Sequence, residues 1–241
     1  MKIISYLLMT VVFLTACSQA TEPTEPKTEK NEPLTAEVTV EKASNRPQPE
    51  DVDVDSVAIL VNRDYPLPEE FEPDDLVYPD VRFLFEEKLE KRMMREEAAR
   101  ALEEMFAAAE EDGIYLAGVS AYRSRAVQTA IFNQYVEANG EEVAKTFSAP
   151  PGTSEHETGL AIDVSGSTGE CAVSDCFAET EEAAWLEEHA HEFGFIIRYP
   201  KGKEAITGYK YEPWHLRYVG EPLAKELNEK DWTLEEYYQV D

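Results

Sequence analysis

Cysteine is scarce in this chain of 241 residues, with Cys17, Cys171 and Cys176 the full set. So few thiols leave no constellation for a thiol transpeptidase and none for a second zinc site beside the Cys171 pair. Basic residues are also short: 22 Lys and Arg stand against 50 Asp and Glu, a formal net charge of -28. That balance argues against nucleic acid or an anionic surface as partner and favours high solubility. No serine has a lysine three residues on, which excludes serine peptidases of the S-x-x-K type. His156-Glu157 is followed by Leu160 where a second histidine would have to stand, so the chain is not an HExxH zincin either. The apolar run from Ile3 to Leu14 is too short to span a bilayer.

That run follows Lys2 and has the two parts of an export signal. Leu14-Thr-Ala-Cys17 resembles the bacterial lipobox, which implies lipidation at Cys17; the competing reading is an ordinary cleaved signal. Residues 1–17 are therefore expected as a lipoprotein signal peptide. Residues 18–55, rich in Glu, Pro, Thr and Asn, are expected as a disordered tether. Residues 56–241 remain as the folded domain, about 180 residues and enough for one well-buried core. The expected location is extracytoplasmic, with the protein held at the membrane of the cell envelope by its lipid. In such an exported protein Cys171 and Cys176 most simply form a disulfide that pins their small-residue loop.

Hydrophobic periodicity predicts the elements. Val57 to Asn62 reads as a first strand. Phe83 to Asp112 has helical spacing, most strongly from Glu96 to Glu110, with Gly113 as its stop. Ile114 to Val119 reads as a strand, and a helix capped by Ser124 follows to about Ala138. Thr180 to Phe193 is an amphipathic helix, Phe195 to Tyr199 a strand and Pro222 to Asn228 a short helix. A last partial helix packs near the C-terminus. His189 and His191 point to nearly opposite sides of their helix, so they are structural rather than a metal pair.

Two stretches carry chemistry. In Ser154-Glu-His-Glu-Thr-Gly-Leu-Ala-Ile-Asp163, Gly159 permits a bend, and Leu160 to Val164 then forms a short strand ending in an acid. A buried carboxylate there is costly unless a cation meets it. In Glu212-Pro-Trp-His-Leu-Arg-Tyr218, Pro213 excludes a helix interior, and a strand can start at His215. His156, Asp163 and His215 supply two imidazoles and one carboxylate, a catalytic zinc set that leaves a position open. Glu212, just upstream of a ligand, stands where a general base belongs.

The pattern S-x-H-x(6)-D followed by E-x-W-H resembles the zinc D,D-peptidases of the VanY and VanX type. Ser120-Ala-Tyr-Arg-Ser124, Trp185-Leu186 through Pro200, and Gly208 to His215 extend the resemblance over most of the expected domain. Ala121 stands where that family prefers glycine, and Glu157 where glutamine is common; Glu157 is expected to alter the charge beside the metal.

The resemblance implies an α+β fold, with a small central antiparallel sheet carrying the zinc site and helices flanking it, as in VanY-like and hedgehog-like D,D-peptidases. It implies one Zn2+ ion, Arg123 as stabiliser of the oxyanion, and Gln128, Ser154 and Tyr122 as substrate contacts, although Tyr122 also suits a packed aromatic. The activity implied is a D-alanyl-D-alanine carboxypeptidase trimming peptidoglycan stem peptides that end in D-Ala, working as a monomer. An L,D-carboxypeptidase of tetrapeptide stems and a non-catalytic wall-peptide-binding lipoprotein are the alternatives.

Overall fold

The computed structural model describes residues 48–145 and 148–240. In chain order its first elements are β1 (Leu76–Val77), β2 (Met94–Arg95), α1 (Glu96–Glu111) and β3 (Leu116–Ser120). Then come α2 (Arg125–Asn139), α3 (Glu141–Ala144), β4 (Ala161–Gly166), α4 (Glu181–His189) and β5 (Phe195–Ile197). The chain closes with α5 (Glu204–Thr207), β6 (His215–Tyr218), α6 (Glu221–Lys230) and α7 (Leu234–Tyr238).

β1 and β2 form a small hairpin-like pair, while the main sheet is antiparallel in the order β3-β4-β6-β5. This is the α+β arrangement expected. The register of the main sheet matters for the site, because Asp163 on β4 lies opposite His215 on β6 and beside Ser120 on β3. Every residue of β4 is buried, as a central strand covered on both faces requires.

α1 forms because Ala98, Ala99, Leu102, Met105 and Ala109 recur at three- and four-residue spacing and make one apolar stripe. All five are buried in the main core with Leu160 and with Ile162, Val164, Phe195 and Leu216 of the sheet. Leu102 and Met105 are fully inaccessible, each worth about 1.5–3 kcal/mol of burial. A second cluster joins Leu60 and Val219 to Ala224 and Leu227 of α6 and Leu234 and Tyr238 of α7.

Several expected elements are corrected. Val57 to Asn62 is not a strand: the carbonyls of Val57 and Ile59 accept hydrogen bonds from the Arg217 guanidinium, so a side chain takes the place of a strand ladder. The helix expected from Phe83 starts only at Glu96. Upstream of it, Leu84 N–H donates to Gly118 O and Gly118 N–H to Arg82 O, and Met94–Arg95 pair with β1, so tertiary backbone pairing overrides helical periodicity. Gly118 is required there, since a Cβ would lie 2.6 Å from the Phe83 ring.

Ser124 does precede α2, yet its hydroxyl donates to Glu90 instead of capping the helix. The helix expected over 180–193 becomes α4 followed by a 3-10 turn, ending at Gly194 with φ 81°. Within residues 48–55, placed by the sequence in the tether, Pro49 is buried, Val52 and Val54 pack on the two cores, and the Asp55 carbonyl accepts from Arg95. The expected signal peptide, the lipobox with Cys17 and the tether as far as 47 lie outside the described residues.

Candidate metal centre

His156 sits in the 3-10 turn Glu155–Thr158, which ends where Gly159 turns left-handed at φ 70° and feeds the chain into β4. A Cβ at Gly159 would meet Leu76 at 2.8 Å, so both conformation and space select glycine. Asp163 then stands in the middle of β4, not at its end as expected, and cross-strand pairing presents it to His215. On the other side Glu212-Pro-Trp closes a turn, with His215 N–H donating to Glu212 O and Glu212 N–H to Tyr199 O. That turn brings Glu212 and His215 to the same place.

The ligating atoms of His156, Asp163 and His215 lie within 4.8 Å of one another, and all three residues are buried. His156 Nδ1 is 2.7 Å from the Ala121 carbonyl, so that nitrogen carries the proton and donates. Its Nε2 is left with a lone pair, 3.4 Å from Asp163 Oδ2. His215 Nδ1 faces Asp163 Oδ1 at 3.0 Å. The two imidazoles meet edge to face with centroids 5.0 Å apart, and Tyr199 lies tilted against His215.

Burial and the facing Arg123 charge outweigh the Asp163 carboxylate and hold His156 down to about 3, neutral as a ligand must be. For His215 burial pulls down, but hydrogen bonds to Asp163 and Glu155 override it and carry the ring up to about 9. The surrounding carboxylates therefore favour positive charge at this point, which a divalent cation satisfies by taking a proton's place. Two imidazole nitrogens and a carboxylate oxygen, held on rigid strands and a tight turn, fit zinc in donor type and number.

The three residues open onto a cavity of about 280 Å³ whose wall also includes Arg123, Ser154, Glu212, Tyr199, Tyr209 and Val173. Burial raises the Glu212 carboxyl, with Asp163 adding to the rise and His215 and Lys210 opposing it. Arg123 N–H donates to the His156 carbonyl, and its guanidinium donates to Gln128 Oε1 at 2.9 Å.

Two expected substrate contacts have other places. Gln128 is fully buried, its amide group also donating to the Ala149 carbonyl, so it holds Arg123 and does not line the cavity. Tyr122 is packed in the interior, the alternative already open to it. The Glu157 carboxylate, expected beside the metal, is engaged by Arg125 and the Gly152 N–H. Cys171 and Cys176 are disulfide-bonded, and the loop they close brings Val173 to the cavity. His189 pairs with Glu192 and packs on Trp185, away from the centre.

Sequence reasoning missed Glu155, Tyr199, Tyr209 and Val173. Glu155 lies in the cavity wall, and its Oε1 accepts from Arg198 Nε at 2.8 Å and Arg217 Nη1 at 2.7 Å. Arg198 also makes a bidentate pair with Glu235 of α7. Burial works to raise the Glu155 carboxyl, and the two guanidiniums more than reverse this, so it stays ionised. The signal was present as a carboxylate beside His156 and an arginine near each later strand, but nothing local joins them.

The comparisons with known proteins agree with this geometry. The family model described as VanY, D-alanyl-D-alanine carboxypeptidase, matches residues 91–221. YodJ of Bacillus subtilis (strain 168), a protein named as a carboxypeptidase, is 51% identical over 77% of this chain and 68% of its own length. The solved structure of the LdcB LD-carboxypeptidase superposes with a TM-score of 0.75 at 50% identity, covering 78% of this chain and 88% of that one. A VanY D,D-pentapeptidase variant from a VanB-type resistance cassette, solved in complex with Zn(II), gives a TM-score of 0.58 at 36% identity over 75% of this chain and 98% of that one. By sequence and by fold, this chain belongs to the VanY family of carboxypeptidases, which act on peptidoglycan peptides.

Proposed function

We propose that the protein is a zinc-dependent carboxypeptidase that hydrolyses the terminal D-Ala bond of peptidoglycan stem peptides, as a D-alanyl-D-alanine carboxypeptidase. The observation that carries this reading is the convergence of His156, Asp163 and His215 within 4.8 Å, with Glu212 and Arg123 on the wall of the same cavity. His156, Asp163 and His215 would hold one Zn2+, which supplies Lewis acidity toward a carbonyl and toward water. Glu212, partly buried and with its pKa raised, is suited to accept the proton of the attacking water and to pass it to the departing amine as the C–N bond breaks. Arg123, steered by Gln128, places positive charge where the carbonyl oxygen becomes negative. Ser154 lines the cavity and offers a hydroxyl to the peptide.

A second reading is favoured by the higher TM-score to the LdcB LD-carboxypeptidase: release of D-Ala from tetrapeptide stems. The two differ in the configuration of the residue before the scissile bond, so both peptides need assay. Purified protein incubated with muropeptides should release D-alanine, detected by mass analysis, and lose that activity with a chelator. Glu212→Ala should keep zinc and lose turnover by about 10²–10⁴-fold. Unchanged turnover in this variant would remove the proposed mechanism and favour a wall-peptide-binding role.

The same reading takes the protein as a monomer anchored outside the cytoplasmic membrane through a lipid on Cys17. Palmitate labelling in cells, abolished by Cys17→Ala, would support that location, and equal labelling of the variant would refute it.

A further inference from the structure

Among the described residues, Glu155 is the one carboxylate lining the cavity that neither ligates in the proposed set nor stands where a base would act. It is buried to 1% exposure, deep for an acid. Its Oε1 is taken by both Arg198 and Arg217, which have 1% and 0% exposure. Its Oε2 points at His215 Nε2 at 3.5 Å, the outer limit of a hydrogen bond. Neither of these two atoms has another hydrogen-bond partner among the described residues, and both are sealed from solvent. A buried donor and a buried acceptor facing each other this way cost free energy unless they serve one another.

We infer that Glu155 is a positioning residue for the metal centre: its Oε2 accepts the Nε2–H of His215, so that His215 Nδ1 is the nitrogen left for the metal. This inference rests on the zinc reading above. The opposite tautomer is chosen for His156, whose Nδ1–H donates to the Ala121 carbonyl and frees Nε2. The two ligands are thus locked in different tautomers by different partners, one a backbone carbonyl and one a carboxylate. An acceptor behind a ligating imidazole fixes its tautomer and orientation and raises its basicity. The guanidiniums of Arg198 and Arg217 hold Glu155 in place, and Arg198 in turn is gripped by Glu235 on α7. The C-terminal helix is in this way fastened to the metal site through one chain of buried charges.

The test measures zinc affinity of the full chain by competition with a chromophoric chelator, for wild type, Glu155→Gln and Glu235→Gln. Glu155→Gln should bind zinc about 10–100-fold more weakly. Glu235→Gln, which disturbs Arg198 but leaves Glu155 on His215, should lower the melting temperature and change zinc affinity less than about threefold, well below that range. Equal affinity of wild type and Glu155→Gln overturns the inference while leaving the zinc reading intact; failure of wild type to bind zinc sinks both. A second measurement needs no variant. Long-range ¹H–¹⁵N spectra of the zinc-loaded wild type should show His215 protonated at Nε2 and His156 at Nδ1. Protonation of His215 at Nδ1 would refute the assignment whatever the variants do.

Discussion

Replacing Gly159 by alanine tests how tightly the turn between His156 and β4 is built. Gly159 has φ 70°, and an alanine Cβ there would lie 2.8 Å from Leu76 Cδ2 and 3.0 Å from Arg95 Cγ. The left-handed conformation alone costs an alanine about 1–2 kcal/mol. Forcing a methyl into occupied space adds about 1–3 kcal/mol. Gly113 separates the two effects, for it has φ 82° and nothing within 4 Å of an added Cβ. Gly113→Ala should therefore carry the conformational cost and Gly159→Ala both. With roughly 2–4 °C per kcal/mol for a domain of this size, Gly159→Ala should melt roughly 2–12 °C below Gly113→Ala. The assay is calorimetry of both variants with zinc present, followed by zinc titration. Gly159 N–H donates to the His156 carbonyl, so the displaced turn should also weaken metal binding, whereas Gly113→Ala should not. Coincident melting of the two variants would show that Leu76 and Arg95 give way freely, and that the turn does not constrain the ligand.

Two further predictions concern the cavity. Lys210 opposes the burial that raises Glu212, and it pairs with Asp175 at 2.8 Å, itself a group that raises Glu212. Lys210→Met removes a charge favouring the ionised base and releases Asp175, so Glu212 should rise further. Since the base works ionised, activity is lost as pH falls through its pKa, and the acid limb of kcat/KM should move to higher pH; no movement, or a downward one, would refute this. Cys171→Ser with Cys176→Ser frees the loop that brings Val173 to the cavity. Closure of so short a loop is worth about 2 kcal/mol, so the melting temperature should drop. KM should rise more than kcat falls, and an unchanged KM would show that the loop does not shape the peptide site.

How much was legible depended on how local the physics was. The apolar stripe of α1 could be read because it lies within one element, and so could its stop at Gly113. The ligand pattern could be read because each ligand sits in a short motif with its own turn residues, Gly159 and Pro213. Val57 to Asn62 misled, since its apolar composition suits a strand while its carbonyls are claimed by Arg217, far away in the chain. The stretch before Glu96 misled for a similar reason: apart from one 3-10 turn at Glu90–Arg92, its backbone pairs with β1 and β3. Spacing along a helix places Gln128 near Arg123 but cannot show that its amide group spans from that guanidinium to the Ala149 carbonyl.

The amino-acid sequence by itself determined the chemistry on offer: two imidazoles and a carboxylate in family register, an acid ahead of the last histidine, an arginine at a strand exit. Tertiary structure alone decided which atom of each side chain faces inward. Sheet register sets Asp163 opposite His215, the Ala121 carbonyl selects one nitrogen of His156, and the two buried guanidiniums turn Glu155 toward His215. Such choices are made by partners distant in sequence, through hydrogen bonds that gain their force once water has been excluded around them.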